Sequence, residues 1–477
     1  MRRWMLLAVF LLSIPAVTAR IYASDEVEGF SWLHSLFFDR DVSFENEYEY
    51  FYNSGQVKNS GFHETFLEDR YTATGRRPNF TTMGAALLWS PFYGLGHLGA
   101  RLSGKPADGL SLPYIYAVAV GSALYGFLAL WFAMAAATRV LGTSAPLRST
   151  VALRTGPLAG LAVWLGTPLL FYMYVTPIFA HACSAFAVAL FLWVWLRVRE
   201  EWSLSGAFAL GLAAGLMTIV RMQDALFLVG PALDFVRSWS RRRERAAPWP
   251  AGLTSGVYLS VLASAVGFAL VLLPQLLAFK ALNGQFSQSE LETRKMSWSS
   301  PHGLQVLFDS QHGLFFWTPL AVLALAGLVI LALRPAADDE HRRSDARWMG
   351  WLTVLMFLLQ AYISGAVESW TVAGAFGQRR FVSLTPLLVL GVAALMSAMA
   401  SAGKPARRLG LAAIVLATWW NLGLMAQFGL HTMDRERLTL GANAWQTFVT
   451  LPLKAPALAW QYLTDRTSFY NRPQQAP

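Results

Sequence analysis

Apolar runs of about the length needed to cross a hydrocarbon layer recur along the whole chain. Their positions predict about eleven spanning helices, at 4–23, 110–138, 156–173, 180–197, 203–220, 222–237, 254–279, 313–333, 347–366, 381–400 and 408–429. Between the first two runs the pattern changes. Residues 24–109 are polar and aromatic, and 25–38 carry apolar residues at helical spacing (Val27, Phe30, Leu33, Phe37), with Ser24 placed as N-cap. Acids and aromatics mix through 44–52, whereas 81–100 are apolar but hold Pro91, several glycines and His97. That composition predicts a helix lying along or dipping into a membrane. Further polar segments occupy 283–311 and 368–380. In the tail, 442–464 are weakly apolar, and Pro452, Lys454 and Pro456 favour an interfacial position over a span. The expected fold is all-α: a polytopic transmembrane helical bundle over 1–430, with membrane-surface helices in a long first loop and a short tail at 431–477.

Composition supports this class. Hydrophobic residues make up 55% of the chain and charged residues only 14%, and the mean hydropathy is +0.40, which excludes an ordinary soluble domain. The net charge of +10 raises the possibility of nucleic acid, but the placement of the charge argues against it. Arginines and lysines fall in short loops on one side: Arg139, Arg148 and Arg154; Arg197 and Arg199; Arg237, Arg241, Arg242, Arg243 and Arg245; Arg334, Arg342, Arg343 and Arg347; Lys404, Arg407 and Arg408. All share the side of Arg2 and Arg3, while the short loop at 174–179 on the other side has no Lys or Arg. The positive-inside rule therefore puts the N-terminus in the cytoplasm and 24–109, 283–311, 368–380 and the tail outside. Val17-Thr18-Ala19 also resembles a signal-peptidase site, and under that alternative too the next segment is external. The one cysteine, Cys183, excludes an intrachain disulfide.

Chemistry concentrates on the external side. Asp25 and Glu26 open the first loop directly after the first apolar run. Two readings stand: carboxylates that favour the N-terminal turn of a helix, and a general base with its neighbour at the membrane surface. Arg379 and Arg380 sit at the mouth of the run that starts at Phe381, against the topological bias. Guanidinium pairs bind phosphate through charge-assisted hydrogen bonds, and headgroup snorkelling is the plainer explanation. Arg221 lies in an outward polar turn, where either a ligand or a local pair with Asp224 would account for it. Asp39-Arg40-Asp41 matches a metal-binding DxD pattern. His181 and His312 begin apolar runs on the external side, as cavity-lining or structural histidines, and the histidines show no metal-ligand spacing. No phosphate-binding glycine loop, nucleophile elbow or HExxH motif is present.

The chain resembles GT-C superfamily membrane glycosyltransferases, and within them is similar to the protein-mannosyltransferase and aminoarabinose-transferase group of bacterial inner-membrane enzymes. The likeness rests on Ser24-Asp25-Glu26 after the first run and on the long first loop. It rests also on Pro78-Asn79-Phe80 before an apolar helix, Gly215-Leu216-Met217 leading to Arg221, and Gly377-Gln378-Arg379-Arg380-Phe381. The short tail departs from the pattern. The resemblance implies a polyprenyl-phosphate-linked sugar as donor and chemistry at the periplasmic face, with Asp25 as base and Glu26 beside it. Arg379, Arg380, Gln378, Arg221, His181 and His312 are then candidate substrate-binding residues, the phosphate role of the two adjacent arginines resting on their chemistry. The expected acceptor is a hydroxyl of a glycan, lipid or protein, membrane lipids are further expected partners, and neither cofactor nor metal is expected. Two alternatives remain: a transporter or flippase of lipid-linked sugars, and a metal-dependent enzyme resembling oligosaccharyltransferases with Asp39 and Asp41 on the ion.

Overall fold

The computed structural model describes residues 3–68, 70–142, 150–245, 251–290, 294–333 and 340–469. Among them the secondary structure is helical, and the one β-type pairing is an isolated bridge between Met296 and Val367. Six helices are long and apolar enough to cross a membrane: Leu112–Gly142, His181–Val198, Tyr258–Asn283, Ser344–Ala366, Arg379–Ser401 and Lys404–Gly429. Shorter apolar helices at Arg3–Ala16, Thr155–Gly166, Leu204–Val220 and Leu320–Leu333 accompany them. The molecule is a helical membrane protein. Of the loop arginines named above, Arg148 and Arg334 lie outside the described residues, as do the side chains of Arg154, Arg242, Arg243, Arg245, Arg342 and Arg343.

Several expected runs are interrupted where the backbone chemistry requires it. The run at 156–173 is α7 (Thr150–Gly166) followed by α8 (Leu169–Tyr174), because Pro168 cannot donate to a continuing helix. Pro319 has the same effect between the short helix Leu314–Trp317 and the helix Leu320–Leu333. The run at 222–237 begins as a 3₁₀ segment, Met222–Leu228, and becomes α-helical only at Val229.

Packing sorts the helices into central and peripheral ones. In α9 (His181–Val198) 78% of the apolar window is buried inside the protein, against 17% for Tyr258–Asn283, which belongs to α12 (Ala251–Asn283). The second is the more apolar, and most of its surface is left uncovered by the protein while α9 forms part of the core. α9 packs against α6 (Leu112–Gly142) and α10 (Leu204–Val220). α10 in turn lies on α12 so closely that a Cβ at Gly211 would collide with the Ser264 carbonyl. Contact through small residues is how helices associate where no hydrophobic force separates protein from lipid.

The first loop is a packed unit of its own. Helices α2 (Ser24–His34), α3 (Glu45–Asn53) and α4 (Ser60–Phe66) enclose Phe30, Trp32, Phe44, Tyr48, Phe51, Phe62 and Phe66. Pro78-Asn79-Phe80 ties this unit to the bundle. The Tyr48 hydroxyl donates to the Pro78 carbonyl at 2.9 Å, and Asn79 Nδ2 donates to the Glu28 carbonyl at 3.0 Å. The Phe80 N–H donates to the Glu28 carboxylate at 2.6 Å. The stretch at 81–100 is α5 (Gly84–Leu102), packed on α6 with Pro91 inside it. The tail's 442–464 lie within helical turns from Leu440 to Thr464, anchored on the helix Lys404–Gly429 by Gln427 donating to Thr447 Oγ1 at 2.8 Å.

Candidate functional site

The N-terminus of α2 meets the start of α9 and the end of α10 at one place. Ala23, in extended conformation, is the N-cap of α2, so Ser24 is already helical and Glu26 occupies the third position. A side chain there can fold back onto the free N–H groups of the cap. Glu26 does so, accepting from the Tyr22 N–H at 2.9 Å and the Ala23 N–H at 3.2 Å. It is fully buried. Burial pushes its carboxyl up to about 8, with the neighbouring Asp25 charge adding to the effect and the two N–H groups opposing it. Asp25, one position earlier, points outward with a side chain 46% exposed, and its Oδ2 is 2.8 Å from the Arg379 guanidinium. Among the described residues no donor reaches Oδ1. The expected pair thus divides, with Glu26 as the capping carboxyl and Asp25 as the open one.

Arg379 begins the 3₁₀ turn Arg379–Leu384 that packs against the start of α9. Its guanidinium lies over the Phe179 ring at 5.3 Å, and that ring stacks on His181 with centroids 5.7 Å apart. Arg221 ends α10 and hydrogen-bonds Nδ1 of His181, while its other terminal nitrogen donates to Gln223 Oε1 at 3.0 Å. Arginine only donates, so His181 Nδ1 is the acceptor and the ring proton sits on Nε2. That Nε2 is buried without a partner among the described residues. The local pairing of Arg221 with Asp224 is not formed, since Asp224 instead accepts from Ser184 Oγ at 2.6 Å.

The adjacent arginines diverge. Arg380 sends its guanidinium to the Ser369 carbonyl at 2.8 Å and Ser369 Oγ at 3.2 Å, and its own carbonyl accepts from Gln360 at 2.8 Å and Gln223 at 3.3 Å. Gln378 is buried and bridges loops, donating to the Trp370 carbonyl at 2.9 Å and the His312 carbonyl at 3.2 Å. His312 is fully buried with its ring stacked 4.7 Å from that of Trp317. Burial chiefly holds its pKa down at about 4, with the Arg379 charge contributing. The structure therefore brings together Asp25, Arg379, Arg221 and His181, and gives Gln378 and His312 places in the supporting framework.

The DxD pair does not converge. Asp41 accepts from Ser35 Oγ at 2.9 Å and the Ser43 N–H at 3.0 Å, closing a turn. Asp39 faces His34 at 3.1 Å and accepts from Asn46 Nδ2 at 2.9 Å. Reading the sequence missed Phe179, Gln223 and Gln360. It also missed Tyr172, whose ring is 4.6 Å from His181 and whose hydroxyl donates to the Phe376 carbonyl at 3.1 Å. Nothing in the sequence separates Phe179 from the chain's other 30 phenylalanines, 31 in all.

Chemically the arrangement offers an exposed carboxylate with one engaged oxygen, two guanidiniums and an aromatic wall. It can accept a proton and bind an anion beside it. Comparison with protein-family models and with curated protein sequences finds no match to the chain.

Proposed function

We propose that this protein is an inverting glycosyltransferase that moves a sugar from a polyprenyl-phosphate donor to an acceptor hydroxyl at the periplasmic face of a bacterial inner membrane. The observation that carries the reading is the half-exposed Asp25 carboxylate held at 2.8 Å by Arg379. An isolated capping acid has no need of a partly buried guanidinium, whereas a base needs a fixed direction and one free oxygen. Oδ1 would take the proton of the acceptor hydroxyl as that oxygen attacks the anomeric carbon. The bond from that carbon to the phosphate oxygen breaks on the opposite face, and the electron pair leaves with polyprenyl phosphate. Arg221 and Arg379 would stabilise that charge. Preorganised donors of this kind are usually the largest single catalytic contribution.

The distribution of charge supports the orientation. Arg199, Arg237 and Arg241 gather with Asp234 and Asp345 at the far end of α9 from His181. The 18 residues of that helix span about 27 Å, close to the thickness of a hydrocarbon core. The arginine-rich end suits the cytoplasm and the Asp25 end the outside. On this reading no metal takes part in the transfer, and the acceptor is a glycan, lipid or protein hydroxyl. Incubating purified protein with a panel of polyprenyl-phosphate sugars should release polyprenyl phosphate with at least one of them. Binding of these lipids with no release from any would point to transport instead.

A further inference from the structure

The end of α2 carries a second constellation that sugar transfer does not use. After His34 the helix continues for five residues, Ser35–Asp39, as a π-turn. In that geometry residues five apart stack, and such turns recur at functional sites. His34 and Asp39 are therefore brought face to face, with Nδ1 3.1 Å from Asp39 Oδ2. From α3, Glu47 reaches the same nitrogen at 2.9 Å. The three ligand-type atoms lie within 4.8 Å of one another.

We propose that His34, Asp39 and Glu47 bind one divalent transition cation, with zinc the closest chemical fit, at a site separate from Asp25. One imidazole and two carboxylates are a donor set for zinc and its neighbours, whereas calcium and magnesium favour oxygen alone. Bonds of about 2.0–2.1 Å in a tetrahedron put ligand atoms roughly 3.3 Å apart, a few tenths of an ångström beyond the two His34 contacts and inside the 4.8 Å that bounds all three atoms. One further observation points to a ligand. Glu47 is fully buried and its second oxygen, Oε2, has no partner among the described residues, an expensive arrangement for a carboxylate with nothing to neutralise it.

Asp39, with a side chain 30% exposed, provides the way in, and water can complete the coordination. The rise from Asp25 to His34 is about 14 Å, too far for the ion to touch substrate at Asp25. Its effect would be to staple the end of α2 to α3 and so steady the helix that presents Asp25.

The test uses full-length protein without a histidine tag, stripped with EDTA, exposed to zinc chloride alone and desalted before metal analysis. Wild type should retain about one zinc per chain. Asp39→Asn and Glu47→Gln should each bind it at least roughly tenfold more weakly, the least that loss of even a supporting residue costs. Wild type retaining no zinc, or both variants retaining as much as wild type, would overturn the proposal. Should the variants fail to fold, cobalt on wild type decides. Intense visible bands of a four-coordinate ion support the site, and the weak spectrum of hydrated cobalt refutes it.

Discussion

Two acid–arginine clusters sit at opposite ends of α9 and are built in opposite ways. Asp234 is 1% exposed and accepts from four donors: Arg199 at 2.7 Å and 3.0 Å, Trp195 at 3.0 Å and Trp348 at 3.1 Å. A carboxylate offers about four lone-pair positions, so Asp234 has none left to use. It clamps three helices: α9, α11 (Val229–Arg245) and the helix Glu340–Ala366. Asp25 has a single charged donor, an exposed face and a free oxygen. The difference teaches how to tell structural charge from chemical charge. Saturation marks a clamp, and an acid held by one partner with room beside it marks a site.

That contrast can be broken in several ways. Asp234→Asn takes the close counter-ion from the partly buried Arg199 guanidinium, leaving only Asp345 at 3.9 Å, and should cost about 3–5 kcal/mol of stability, seen as a lower melting temperature in detergent. If the variant instead melted normally and lost turnover, the two ends would not differ as argued.

Glu26 gives the next largest effect. Its folded pKa of about 8 stands above the ordinary 4.5, so between those values the folded protein holds a proton that the unfolded chain has released. Its contribution is therefore most favourable below pH 4.5 and is lost as pH rises to about 8, by roughly 3–5 kcal/mol. Melting temperatures across that window should fall in wild type and flatten in Glu26→Gln. An unchanged slope in the variant would remove Glu26 as the buried titrating carboxyl.

Arg221→Ala should lower turnover on the order of a hundredfold, as loss of a preorganised charge donor does, measured as polyprenyl phosphate released per minute. Arg379→Lys keeps the charge but loses the planar fork that can hold Asp25 and a phosphate together. A reduction of about tenfold in turnover is expected, and equal rates for lysine and arginine would show that only charge matters there.

Much of the bundle was legible because long apolar runs can hardly be anything but membrane helices. Their interruptions were harder, since Pro168 and Pro319 sit inside runs that are otherwise uniformly apolar. Loop charge set Asp25, Arg379 and Arg221 apart from the arginine-rich loops, and the two groups lie at opposite ends of α9, but the roles within Asp25-Glu26 depended on a single residue of helix phase. With Ser24 as N-cap, Val27 would occupy the third position. With Ala23 there, Glu26 folds inward and Asp25 faces out. The sequence favours the phase that is not adopted, because serine is the better cap by side-chain chemistry. The His34–Asp39–Glu47 cluster was hidden for a related reason: a five-residue spacing puts side chains together only if the helix widens into a π-turn.

The central claim is that Asp25 is the open, proton-accepting carboxylate of a transferase site. It is tested most directly by polyprenyl-phosphate release from Asp25→Asn beside wild type, with donor affinity measured on the same preparations. A general base contributes about 10²–10⁴-fold, so the account predicts a loss of that size with donor binding within a few-fold of wild type. Near-normal release from Asp25→Asn would contradict it.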